Sequence, residues 1–219
     1  MLVKDFMTPT VVTIGEDRNV LEARELMLGN GILSVPVVDD MKRIRGMITV
    51  NDIARVAPAD STTLSKREIN SLLAHFKVKD IMSRNVIAVN ADDSVESIAV
   101  HIYQKRMNAF PVVDVNNRIC GIIAQNDLLR AFVLALGLAR PCTRITVEDK
   151  DEIGVLADIA QIFKDNQVNI ISLFTHTGTT NGRAEIVVRA ELDNHMDVIE
   201  KLRQAGYNVT DIMTIRGIN

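Results

Sequence analysis

The decapeptide GMITVNDIAR, residues 46–55, returns 75 residues later as GIIAQNDLLR, residues 121–130. Glycine, isoleucine, asparagine, aspartate and arginine recur in place, while Thr49 is replaced by Ala124. Extended outward, the same offset aligns residues 3–55 with 78–130 without a gap, and 18 of these 53 pairs are identical. VKDFM (Val3–Met7) meets VKDIM (Val78–Met82), PVVD (Pro36–Asp39) meets PVVD (Pro111–Asp114), and Arg43, Ile44 and Gly46 meet Arg118, Ile119 and Gly121. A match of this extent makes the first two thirds of the chain two copies of one unit.

Each copy begins with an extended stretch, Val11–Ile14 (VVTI) or Val86–Val89 (VIAV), followed by a polar turn and a helix. In the second copy Val95, Ile98, Ala99, Ile102 and Tyr103 recur at helical spacing and predict its buried stripe. Asn19 and Ser94 occupy N-cap positions, and Gly29 and Gly31 end the first helix. SVPVVDD and RIRGMITV read as two strands joined by a turn around Asp39–Lys42, so each copy runs strand, helix, strand, strand, helix. Between the copies Ser65 and Glu68 have capping-box spacing, and Leu72, Leu73 and Phe76 supply one apolar face for a linker helix. A unit of about 55 residues has a marginal core, so pairing the copies face to face, with related clefts left between them, completes it.

From Thr143 the pattern changes. TRITVE, VNIISLFTH, AEIVVRA and YNVTDIM read as strands, the middle two joined by the turn TGTTNG. Ile153, Leu156, Ile159, Ala160 and Phe163 mark one helix; Val198, Ile199 and Leu202 mark another, ended by Gly206. The order βαββαβ is the split βαβ, or ferredoxin-like, arrangement. The fold class is therefore α/β (α+β), with copy one at 1–62, a helical linker at 63–77, copy two at 78–137 and a third domain at 143–219. Pro141 is expected to break the helix that precedes this last domain.

With 47% hydrophobic and 24% charged residues, the 219-residue composition is that of a soluble globular chain. A net charge of −3, 4% aromatic residues and no tryptophan argue against nucleic acid as a partner. The start MLVKDFMT lacks an apolar signal region, and the longest apolar stretch, AFVLALGLA at 131–139, is interrupted by Gly137 and too short to span a bilayer. A cytoplasmic location without membrane contact is expected. Cys120 and Cys142 are too isolated for a zinc site or a disulfide framework and are expected as buried small hydrophobes. His75, His101, His176 and His195 show no metal-ligand spacing, and no G-x-S-x-G, Walker A or G-x-G-x-x-G sequence occurs. No catalytic residue and no metal site is assigned.

The chemistry is expected at the strand-to-helix junctions. A carboxylate at Asp52 or Asp127 can accept two hydrogen bonds from a vicinal diol such as a ribose, and the Thr49 hydroxyl beside a helix N-terminus can assist an anion such as phosphate. Equally, the two aspartates can simply cap helices starting at Ile53 and Leu128.

The motifs VKDxM, xPVVD and G-x-[IV]-[TS]-x-x-D, in order along tandem units, resemble a pair of cystathionine-beta-synthase (CBS) domains, the Bateman module, over about residues 1–136. The last third resembles an ACT domain, a small-molecule-sensing ferredoxin-like module, through ITVEDKDEIGVLADIA and NIISL. The combination is similar to the acetoin utilization protein B family. The resemblance implies a regulatory homodimer without chemistry of its own. Its paired units would bind an adenosyl ligand, namely AMP, ADP, ATP or S-adenosylmethionine, and couple binding to assembly or to a protein partner. By motif position Asp52 and Asp127 would hold ribose hydroxyls and Thr49 would approach phosphate. Val12, Ile87, Val35 and Phe110, with Pro36 and Pro111 beside the last two, would sandwich the base.

Departures from the family pattern bear on phosphate. Many nucleotide-binding members carry histidine or arginine just before the Pro-Val pair, where this chain has Leu33, Ser34, Asn108 and Ala109. Ala124 removes the hydroxyl of the second copy, so a triphosphate there would need Lys105, Arg106, Arg118 or Arg130 as a substitute. In the ACT part, Asp151, Gly154 and Asn169 match positions that contact ligand in some members. The turn DKDE, Asp149–Glu152, would repel a ligand carboxylate with only Lys150 to offset it, and Ile153 stands where proline is usual, which favours dimerisation over amino-acid sensing.

Overall fold

The VKD of the first copy forms a 3-10 turn at Val3–Asp5, and the extended stretch after it pairs only at its end, as β1 (Ile14–Gly15). The computed structural model describes residues 1–58, 64–105, 107–150, 152–177, 183–192 and 196–217. The chain divides into two units, Met1–Ala131 and Phe132–Asn219.

In the first copy α1 (Val20–Asn30) is capped by Asn19, whose side chain accepts from Glu22 N, and buries Val20, Ala23 and Met27. The strands β2 (Ser34–Val38) and β3 (Ile44–Thr49) follow, then α2 (Val50–Val56). Asp39 closes the β2–β3 turn by accepting backbone N–H bonds from Met41 and Arg43, and those donors hold its carboxyl at about 2. The linker helix α3 (Lys66–His75) carries the expected Ser65–Glu68 capping box. It packs with Ile69, Leu73 and Phe76, not Leu72, because the first copy's core meets the i, i+4, i+7 face.

The second copy repeats the plan with α4 (Val78–Ile81), β4 (Val89–Asn90), α5 (Val95–Lys105), β5 (Ala109–Val113), β6 (Ile119–Ala124) and α6 (Gln125–Ala135). Its α5 stripe is shorter than expected. Val95 and Ile98 are buried, but Tyr103 is 88% exposed. Each copy forms a three-stranded sheet, β1-β2-β3 or β4-β5-β6, in which the first pair is parallel and the second antiparallel.

The copies are joined by exchanging their N-terminal segments. Val3 N donates to Asp93 O and Lys4 N to Ala91 O, both at 2.9 Å; 75 residues on, Val78 N donates to Arg18 O at 2.9 Å and Lys79 N to Glu16 O at 3.0 Å. Thr8 and Ile122 form a reciprocal backbone pair, as do Ser83 and Met47. The VKDxM motif thus serves the other copy's sheet, which is why a single unit does not complete its own core.

In the second unit β7 (Cys142–Lys150), α7 (Val155–Asp165), β8 (Ile170–His176), β9 (Arg183–Ala190), α8 (Met196–Gln204) and β10 (Asn208–Ile215) form an antiparallel sheet of order β10-β7-β9-β8. Ile145, Val147, Ile186 and Val188 from the sheet meet Ile159, Phe163, Val198, Ile199 and Leu202 from the helices in one core. The helix α6 ends before Pro141: Gly137, at φ 69°, turns the chain after Ala135. Most of the TGTTNG turn, residues 178–182, lies outside the described residues, as do Arg106, Asp151 and His195, and the Lys150 side chain is not described.

Candidate ligand site between the two repeats

The two junctions that opened the sequence are built differently. In the first, Thr49 and not Asp52 is the N-cap: its hydroxyl accepts from Asp52 N at 3.2 Å. Asp52, at the third helical position, returns the contact, accepting at Oδ2 from Thr49 N at 2.8 Å and from the Thr49 hydroxyl at 2.7 Å. Arg55 pairs with its other oxygen, Oδ1, and the residue is only 7% exposed. The helices start at Val50 and Gln125, three residues before the positions the capping reading gives them, because each aspartate sits in the first turn and accepts from the N–H three residues before it, Thr49 N or Ala124 N.

In the second junction Ala124 offers no hydroxyl, and Asp127 Oδ2 accepts only Ala124 N, at 2.9 Å, among the hydrogen bonds of the described residues. Arg130, the counterpart of Arg55, turns away. It donates to Phe6 O at 3.0 Å and lies 5.7 Å from the Phe6 ring centroid. Replacing Asp52 with alanine should therefore cost about 2 kcal/mol, because it orphans a part-buried N–H and a hydroxyl, and the same change at Asp127 about 1. Urea denaturation of the two variants checks this order.

A cavity of about 440 Å3 opens beside Asp127. The first copy contributes Thr8, Thr10, Val11 and Val12 from its entry segment and residues 30–34, which lead from the end of α1 into β2. The second contributes Asn108, Ala109, Ile122 and residues 124–127. The volume lies in the range of small-molecule sites, and apolar walls with a few convergent polar groups are what such a site requires. The shortness of β1 now has a reason: Val11 and Val12 leave the ladder free to form a wall of this cavity.

Of the candidate residues, Val12 and Asp127 are brought together here. Thr49 and Asp52 lie at the other junction, and half-buried Ile87 is the offset counterpart of Val12. Val35 and Phe110 are 0% exposed, and Pro36 and Pro111 are buried beside them in β2 and β5. Neither Lys105, Arg118 nor Arg130 lines the cavity. In the second unit Gly154 precedes α7 at φ 102°, and Asn169 is exposed, its backbone oxygen accepting from Glu191 N at 3.1 Å. Leu33, Ser34, Asn108 and Ala109, singled out as the positions before the Pro-Val pairs, all line the cavity, whereas sequence reasoning missed Thr8, Thr10 and Asn126. A hydroxyl directly after VKDxM in both copies, Thr8 and Ser83, was the available signal for the first of them.

Among the described residues no helix is long and apolar enough to cross a membrane, and no cluster of three His, Cys, Asp or Glu side chains could hold a metal. Cys142 is buried and Cys120 partly so.

Comparisons with known proteins agree with this architecture. The family model for the CBS domain matches residues 3–59 and 78–134, and that for the TTHA0829-like ACT domain matches 142–213. A homoserine O-acetyltransferase of Methanosalsum zhilinae is 33% identical over 126 residues, 58% of this chain and 23% of that protein. The chain spans about a quarter of the length of such curated relatives.

Among solved structures, the CBS domain pair of protein MJ0100 in complex with 5′-methylthioadenosine and S-adenosyl-L-methionine is 28% identical, with a TM-score of 0.50 over 60% of this chain and 99% of that one. CBSX2 in complex with AMP is 26% identical, with a TM-score of 0.51 over 60% and 96%. An acetoin utilization protein, AcuB, from Vibrio cholerae shares the fold at 22% identity, with a TM-score of 0.51 over 61% and 90%. With more than half of its residues in two matched repeats that exchange their N-terminal segments, the chain belongs to the CBS-domain family, as a tandem pair followed by a TTHA0829-like ACT domain.

Proposed function

We propose that this chain is a non-catalytic regulatory protein whose CBS pair senses an adenosine-containing ligand in the cavity beside Asp127. The observation that carries the reading is a carboxylate at a helix N-terminus with one oxygen uncommitted among the described residues, lining a cavity to which both copies contribute apolar and neutral polar groups. A ribose diol can donate two hydrogen bonds to that carboxylate, while Val12, Ile32 and Ala109 offer apolar surface to a base. The similarity to CBS pairs solved with 5′-methylthioadenosine, S-adenosyl-L-methionine and AMP supports the ligand class.

Because both copies line the cavity, a ligand there adds contacts across the pair and favours whichever arrangement binds it more tightly. The first junction supports a second reading for its own cleft: the Thr49 box and Arg55 already occupy Asp52, so that cleft is vestigial unless a ligand displaces Arg55. The partners we propose are a second copy of the chain and a protein target in the cytoplasm, with the ACT domain serving dimerisation or a second small-molecule signal. Exposed Leu28, Val100, Tyr103 and Leu129 on the helices of the CBS pair support self-association.

Titration calorimetry with adenosine, AMP, ADP, ATP and S-adenosylmethionine tests the reading. At least one should bind at one site per chain, and Asp127→Ala should weaken it about 10- to 100-fold through the lost charged hydrogen bonds. Flat isotherms for all five with folded protein would remove the sensor reading.

A further inference from the structure

The charges around the cavity are one-sided. Of the sixteen residues that line it, Asp127 alone is ionisable; the other polar groups are neutral hydroxyls and amides, and no lysine, arginine or histidine lines it among the described residues. Nor does a cation pair with Asp127 among the described residues. The arginine one turn along the helix, which in the first copy pairs with its aspartate, is here held on the Phe6 carbonyl and ring. The helix N-terminus supplies only about half a positive charge, and Asp127 already engages it through Ala124 N. A space of about 440 Å3 is on the order of one Debye length across at physiological ionic strength, ~8 Å, so only higher salt hides one end of it from the other.

We infer that the Asp127 cavity takes a nucleoside whose 5′ end carries no phosphate, being neutral or cationic there, and discriminates against the corresponding nucleotide. This rests on the reading of the cavity as an adenosyl site and narrows its ligand class. A ribose held by its diol on Asp127 would place a 5′-phosphate dianion in the same small space as that carboxylate, with only neutral donors among the described residues to receive it. Like charges at such range oppose binding. A methylthio group, a hydroxyl or a sulfonium meets no such opposition, and Thr8, Thr10 and Asn108 can hydrogen-bond a hydroxyl or an amino-acid tail.

The test is calorimetric titration of the full chain with adenosine, 5′-methylthioadenosine and AMP, at low and high salt. Adenosine and 5′-methylthioadenosine should bind about tenfold or more tighter than AMP at low salt, and the gap should narrow as salt screens the repulsion. Asn108→Arg places a cation at an exposed lining position, and the backbone oxygen that accepts from Gln125 N is retained. It should raise the affinity for AMP about tenfold relative to that for adenosine. If wild-type protein binds AMP as tightly as adenosine or more so, the inference is overturned while the adenosyl-site reading stands. If none of the three binds, and ADP, ATP and S-adenosylmethionine do not bind either, the adenosyl-site reading itself fails and takes the inference with it. The salt series on wild-type protein decides the matter even if the variant does not fold.

Discussion

Replacing Phe110 with alanine should cost the CBS pair about 3–5 kcal/mol of stability, the largest effect expected of any single change in this unit. Phe110 is 0% exposed in β5, opposite Ile123 of β6, and its ring centroid lies 6.3 Å from that of His101, tilted by 48°. Removing the ring opens a void beside His101, whose Nδ1 is buried with no hydrogen-bond partner among the described residues, so the site gains no polar contact there by relaxing. Val35 fills the matching place in the first copy, and its truncation should cost less because fewer atoms are lost. Urea unfolding followed by circular dichroism measures both. Were Phe110 a stacking platform for a base, as family position suggests, its loss would instead spare stability and lower ligand affinity, so the two readouts separate the roles.

The second large effect should fall on the glycine of each decapeptide, and unequally. A Cβ at Gly46 would stand 2.5 Å from Met82 Sδ and 2.9 Å from the Ser83 backbone oxygen. At Gly121 the three nearest atoms all belong to Met7: Sδ and, 3.2–3.3 Å away, Cγ and Cε. A methionine side chain can swing aside, whereas Ser83 is fixed by its reciprocal backbone pair with Met47. Gly46→Ala should therefore cost about 2–3 kcal/mol and Gly121→Ala about 1. Met7→Ala should restore Gly121→Ala largely, while Met82→Ala should restore Gly46→Ala only in part, since the backbone contact remains. Thermal unfolding of the single and double variants checks both the order and the rescue.

These glycines show how far the sequence carried the fold. The repeat at an offset of 75 was visible residue by residue, and with it the element order of each copy, the caps at Asn19 and Ser65 and the βαββαβ order of the last domain. The exchange was not visible: VKDxM is written beside its own copy but packs on the other, and a pattern along the chain does not say which of two equivalent sheets a segment joins. For the same reason no local pattern shows that Gly46 is constrained by Met82 and Ser83 of the other copy.

The site was legible in part. Asp127 and Val12 could be named, because a carboxylate at a junction and an apolar entry strand are local features. That the two face one cavity, that Arg55 occupies Asp52 while Arg130 leaves Asp127 open, and that Thr49 is spent on capping are facts of side-chain direction. The loss of the hydroxyl at Ala124 thus removes a capping contact and leaves the second carboxylate less committed than the first.

The most direct measurement is a crystal structure of the full chain grown with adenosine. The account requires the purine between the walls given by Val12 and Ala109 and the ribose diol on Asp127, with Arg130 still on Phe6. Adenosine seated elsewhere, or this cavity empty at a saturating concentration, would contradict it.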